Sequence, residues 1–171
     1  MNRRSNLGMA ALVALALASL PSSAVGQQKS LKDQLVGTWT LVSWDQTNKD
    51  GTKFQRFGAN PKGYNIFDAS GRFFIMFARS DLPNIASKNP STPTPEEAKA
   101  IVGGAIGYFG TYTVNEADKS FTLNVEASSF PNQRASGQRR TIVSVTADEL
   151  KYSNPVPLTG GEIQYVFRRA K

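Results

Sequence analysis

The sequence predicts an all-β domain of antiparallel strands, either a sandwich or a closed barrel. Three observations lead there. From Tyr108 onward, short runs rich in Val, Ile, Thr, Tyr and Phe alternate with turn clusters such as Glu116-Ala117-Asp118-Lys119 and Ala147-Asp148-Glu149. Residues 63–68 and 72–78 flank Ala69-Ser70-Gly71 in the pattern of a β-hairpin. Only the segment that follows Thr94 shows clear helical periodicity.

The first 26 residues read as a secretory signal. Arg3 and Arg4 make a positive start, residues 7–20 form an uncharged apolar run, and Ala24-Val25-Gly26 offers small residues for cleavage before Gln27. A cut after Ala24 fits as well. The apolar run falls short of the ~20 residues of a spanning helix, so cleavage is expected and no stable membrane anchor. Arg3-Arg4 keeps twin-arginine export open, although Ser5-Asn6-Leu7 continues that signal poorly. Residues 27–171 are then one domain, long enough for a sizeable core. The chain has no cysteine, hence no disulfide and no acylated anchor, and a periplasmic or secreted location in a Gram-negative bacterium is expected.

Net charge is +7, from 20 Lys+Arg against 13 Asp+Glu, and loss of Arg3 and Arg4 with the leader leaves +5. This favours solubility and weak attraction to anions. The cations are scattered, with dense clusters only at 134–140 and 168–171, so nucleic acid is not an expected partner.

In chain order, Ser30 to Gln34 can form one helical turn. Residues 35–44, Leu-Val-Gly-Thr-Trp-Thr-Leu-Val-Ser-Trp, form the first strand. Trp39 and Leu41 fall on one face and Val42 and Trp44 on the other, while Gly37 admits a backbone or a bulky ring at close range. Residues 45–53 are polar, with a Lys-Asp-Gly turn signal, and read as a loop. After the hairpin of residues 63–78, whose second arm is apolar on both faces, Pro83, Pro90 and Pro93 mark a crossover loop. Thr94, Pro95 and Glu97 form a helix start with a capping box. Ala98, Ile101, Val102 and Ala105 then make an apolar stripe, and Gly103, Gly104 and Gly107 end the helix. Strands follow at 108–115, 121–127, 138–146, 150–153 and 162–169, giving eight strands and one helix.

Without His or Cys there is no Ser-His-Asp or Cys-His nucleophile, no ordinary zinc or copper site and no His- or Cys-held haem. Neither a Walker loop nor a dinucleotide fingerprint occurs, so no metal or cofactor is expected. Chemistry is left to Asp, Glu, Tyr, Arg and Lys.

Several pieces together resemble the bacterial lipocalin-like domain family of the calycin group: Leu35-Val36-Gly37-Thr38-Trp39, Phe57-Gly58-Ala59-Asn60-Pro61-Lys62-Gly63-Tyr64, Ser70-Gly71-Arg72, residues 108–114, Val125-Glu126-Ala127-Ser128, Pro131-Asn132 and Gln138-Arg139-Arg140. The resemblance implies an eight-stranded up-and-down barrel with an internal cavity. It also implies that a late-strand cation, Arg168 or Arg169, packs over Trp39 and closes one end. Related chains tend to carry histidine before the Val-Glu pair and tryptophan after Pro-Asn. Here those positions hold Leu123-Asn124 and Gln133.

Within such a barrel the candidate ligand-binding residues are Tyr64, Met76, Tyr108, Tyr112, Glu126 and Arg140. Tyrosine offers a ring with one polar tip, and methionine a deformable wall. Glu126 has two readings. Facing inward, it is desolvated, pairs with Arg140 and serves as acid, base or ligand contact. Facing outward, it leaves Phe121, Leu123, Val125 and Ala127 in the core. Arg134, Arg139 and Arg140 either meet an anionic headgroup or are solvated. The expected function is binding of a small hydrophobic or amphipathic molecule. The alternative is a cofactor-free isomerase or cyclase using Glu126 and tyrosines, and a third reading is a filled barrel without ligand.

Overall fold

The computed structural model describes residues 29–133 and 137–171. The expected leader and Arg134 lie outside the described residues. Among the described residues nine strands form: β1 (Gly37–Thr47), β2 (Lys53–Phe54), β3 (Lys62–Phe67), β4 (Arg72–Ala78), β5 (Ala105–Asn115), β6 (Ser120–Ser128), β7 (Gln138–Val145), β8 (Glu149–Asn154) and β9 (Glu162–Arg169). From β3 to β9 each strand pairs antiparallel with the next, and β1 pairs with both β3 and β9, which closes the ring. The fold is an eight-stranded up-and-down barrel, with β2 added outside the ring where Gln46 and Thr47 of β1 face Phe54 and Lys53. The polar loop expected at 45–53 is therefore shorter. β1 runs on to Thr47 because Asp45, Gln46 and Thr47 find ladder partners in β9.

Side chains alternate inward and outward along each strand, and the alternation slips at three bulges. Between Leu41 and Ser43 the β1–β9 register shifts around Val42. β6 shifts opposite Phe109 and Gly110, around Glu126, and β7 shifts between Ile142 and Ser144, around Val143. Each extra residue is exposed. The two faces expected for the first strand are thereby corrected. Trp39, Leu41 and Trp44 all point into the barrel, because the bulge absorbs Val42 and restores the inward parity after it. On β4 the inward set is Phe73, Ile75 and Phe77, all at most 3 % exposed.

The two ends of the barrel differ. At one end the hairpin connections are short (68–71, 116–119, 146–148). Helix α1 (Leu31–Leu35) covers this end, its first amide hydrogens donated to the Glu116 carboxylate of the β5–β6 turn. Ser30 caps it by accepting from the Asp33 amide. Beneath it Leu35, Trp39, Phe67, Phe121 and Phe167 are at most 1 % exposed. The Trp39 indole N–H donates to the Leu35 carbonyl at 2.8 Å.

Of the two cations expected over Trp39, Arg169 closes this end and Arg168 does not. The inward parity of Phe167 continues to 169, whereas Arg168 is exposed. The Arg169 guanidinium sits 4.0 Å above the Trp39 ring and donates to the carbonyls of Ala147, Val36 and Gln34. Gly37 provides its space, since a Cβ there would stand 2.6 Å from Arg169 Nη1.

The other end carries the long connections (48–61, 79–104, 129–137, 155–161). One of them holds helix α2 (Pro95–Gly104), whose capping box forms as expected. Its apolar stripe does not dock on the core. Val102 is 67 % exposed, Ala105 already belongs to β5, and Gly107 lies inside that strand instead of ending the helix. The helix borders an opening in the barrel and has no core beneath Val102.

Candidate functional site: an open cavity at one end of the barrel

At the long-loop end the inward side chains do not meet, and a cavity of about 740 Å³ remains. Trp44 of β1, Phe77 of β4, Ile106 and Tyr108 of β5, and Ile163 and Tyr165 of β9 form its wall, with Phe57 of the β2–β3 connection. Trp44 makes edge contacts with both Phe57 and Tyr165, centroids 5.5 and 6.3 Å away. These interlocked rings set the wall without filling the space. Phe54, Val102, Phe130, Val156 and Leu158 surround the mouth, and all are exposed. Below the cavity the barrel is solid: Tyr152 stacks between Tyr165 and Phe167, and Phe121 meets its ring edge-on at 5.0 Å.

Polar side chains also line the cavity, and the buried ones are mostly engaged with the protein. Gln46 is buried but satisfied, donating to Asn48 Oδ1 and the Gly160 carbonyl and accepting from the Thr159 hydroxyl. Arg56 lines the wall but is tied back to the end of α2, donating to the Gly103 and Val102 carbonyls. Burial lowers its pKa. Arg140, on β7, is the deeper cation. It is 2 % exposed and donates to the Arg139 carbonyl and to Gln138 Oε1 at 2.9 Å. Burial opposes its charge, but the oxygens of Tyr165, Tyr108 and Tyr152 around it, with a hydrogen bond to Tyr108, move its pKa upward. The tyrosines go the same way: burial pushes the Tyr108, Tyr152 and Tyr165 hydroxyls above the usual range, so they stay protonated donors.

Of the six candidate ligand-binding residues, the fold brings Tyr108 and Arg140 together at the cavity. The other four lie elsewhere. Tyr64 and Met76 are opposite each other in the β3–β4 ladder and both point outward, because Asn65 and Ile75 take the inward positions. Tyr112 is inside but at the packed end, against Phe67, with its hydroxyl donated to the Asp68 carbonyl and its pKa pushed up to about 12 by burial. Glu126 is the bulge residue of β6 and faces solvent, 3.6 Å from Arg72 of β4, across the intervening β5. The expected Glu126–Arg140 pair does not form: the two residues lie on opposite faces of the sheet. Sequence reasoning missed Arg56, Gln46 and Asn154 as cavity residues, since each lies in or beside a loop whose path depends on the whole barrel.

The family model of the lipocalin-like domain matches residues 36–164. The chain belongs to the lipocalin-like domain family. Solved structures similar to it include a protein from Bacteroides uniformis ATCC 8492, at 16% identity over 82% of this chain and 92% of that one, TM-score 0.43. A redesigned β-barrel shares 16% identity over 84% and 98%, TM-score 0.42. Bovine odorant-binding protein in complex with a selenium-containing odorant shares 18% over 84% and 74%, TM-score 0.42. No curated protein matches the chain.

In this lipocalin-like domain no Asp or Glu lines the cavity among the described residues, and no three metal-ligating side chains cluster. Glu126→Gln is therefore expected to leave cavity binding unchanged and to shift stability by less than about 0.5 kcal/mol, the range of an exposed ion pair. A drop in affinity for any cavity ligand, measured by titration, would contradict the outward placement of Glu126.

Proposed function

We propose that this lipocalin-like domain binds a small hydrophobic or amphipathic molecule in the open end of its barrel. One observation carries the reading: an aromatic-walled cavity of about 740 Å³ opens to solvent above a barrel that is otherwise packed solid. That volume is in the range of small-molecule sites. Burying ~100–200 Å² of apolar ligand surface contributes about 2.5–5 kcal/mol, and ordering costs reduce this toward micromolar affinity. A general acid–base mechanism built on Glu126 lacks its acid, because that carboxylate lies on the outer surface. The filled-barrel reading meets the cavity itself.

We propose further that the domain works in the periplasm or outside the cell, after removal of a leader ending at Gly26 or Ala24. The short apolar run and small-residue cleavage pattern support this.

Native mass spectrometry on protein isolated gently from its own cell envelope tests both. The expected result is a polypeptide beginning at Gln27 or Val25, with excess mass that disappears on denaturation. A bare polypeptide that also fails to take up Nile red would overturn the binding reading, and an intact residue 1 would overturn the leader.

A further inference from the structure

We propose that the cavity selects an amphipathic anion, a molecule whose carboxylate lies against Arg140 while its apolar body runs outward along the Trp44, Phe77 and Tyr165 wall. The inference rests on the binding reading above and says which class of molecule that site takes.

A guanidinium that is 2 % exposed is costly unless something opposes its charge. Among the described residues no acid does, and only neutral oxygens surround it. No carboxylate lies within 4.0 Å of Arg140, and its donors reach only an amide oxygen, a backbone carbonyl and the Tyr108 hydroxyl. Three of the four ion pairs among the described residues join other cations to acids on the outer surface, and the fourth holds Arg139 to Asp118 at 3.0 Å. Arg139, which also borders the cavity, is thus neutralised by Asp118, while Arg140, the next residue, has no acid beside it. A further cation of the wall, Arg56, is occupied by carbonyls at the end of α2, and among the described residues it too has no acid partner. A cavity bordered by cations without an acid holds a positive potential, which low-dielectric walls strengthen.

The geometry also orients the guest. Arg140 pairs with Phe121 across the β6–β7 ladder, at the depth where the cavity gives way to the solid core. Its planar fork suits a carboxylate bidentately, and the Tyr108 hydroxyl beside it is held protonated as a further donor. Exposed apolar residues stand at the opposite end, around the mouth: Phe54, Phe130, Val156 and Leu158. A charged head thus lies deep and an apolar tail shallow.

The test compares dodecanoate with 1-dodecanol, equal in chain length and different in charge, as displacers of Nile red from the mature chain at neutral pH, both below their aggregation limits. The expected result is dodecanoate binding roughly 10- to 100-fold tighter than dodecanol, the range of a charge-assisted hydrogen-bonded contact. In Arg140→Gln the two are expected to bind alike, at the wild-type dodecanol affinity, while Arg168→Gln, on the outer surface, keeps the preference. Equal affinities in the wild type would overturn anion selection and leave the binding reading standing. Failure of Nile red and both displacers to bind would overturn both. The wild-type ratio decides even where Arg140→Gln does not fold. A preference that survives in a folded Arg140→Gln variant would assign the head to another residue and equally overturn the proposal.

Discussion

Trp39→Ala is expected to remove about 3–5 kcal/mol of stability, the usual cost of truncating a fully buried tryptophan. The indole is 0 % exposed and touches three separate pieces of the closed end. Its N–H holds the Leu35 carbonyl at the end of α1, its face carries the Arg169 guanidinium at 4.0 Å, and its edge belongs to the core beneath. Arg169 in turn fastens the backbone before β1 to the β7–β8 turn. Truncation thus opens a void and loosens a clasp at once. Urea unfolding checks the size of the effect. A cycle with Arg169→Met is expected to show about 0.5–2 kcal/mol of coupling from the cation–ring contact. A loss under about 1 kcal/mol for Trp39→Ala would mean that the end is not packed as described.

Gly63→Ala comes next in size. Gly63 lies in β3 at φ +149, and a Cβ built there would stand 2.0 Å from the Met76 carbonyl oxygen and 2.9 Å from Phe77 Cα. Both contacts are backbone, so no side chain can swing aside. The substitution forces β3 from β4 at the open end and strains φ, at a combined cost of about 2–5 kcal/mol. Thermal melting is expected to fall by roughly 5–15 °C. Gly103→Ala, in α2 with nothing within 4 Å of its built Cβ, is the control and is expected to raise stability by about 0.5 kcal/mol. Equal melting of Gly63→Ala and the wild type would refute the close approach of the two strands.

Much of the architecture was legible because local chemistry and global fold agree. The Thr94-Pro95-Glu97 box, the Ala69-Ser70-Gly71 turn and the strand spacing each specify their element from neighbours in sequence. The ring closure and the cavity end were implied only by the family resemblance, since pairing of β1 with β9 leaves no local mark. Within the site, Tyr108 was reachable because it shares a strand parity with Tyr112, and both face the interior. Glu126 was not, because the choice depended on a bulge. Val125 faces Gly110 and Ala127 faces Phe109, and that mismatch is a property of two strands together. The same holds for Val42, whereas Met76 lies in two ladders that stay in step, and its face was hidden because residues 73–77 are apolar throughout. Alternation predicts a face only as far as the ladder stays in step, and nothing in a single strand says where it skips.

Those skips carry a consequence for how the gene can change. In a barrel whose strands are buried on one side, gaining or losing one codon within a strand turns every later side chain inside out. Val42, Glu126 and Val143 are exceptions, since each is the surplus residue of its ladder and each points to solvent. Deleting Val42 leaves Trp39, Leu41, Trp44 and Gln46 in strict alternation on the inner face, and the same holds around the other two. Length variants among natural relatives should therefore concentrate at these three codons and in the loops, leaving the rest of each strand fixed in length.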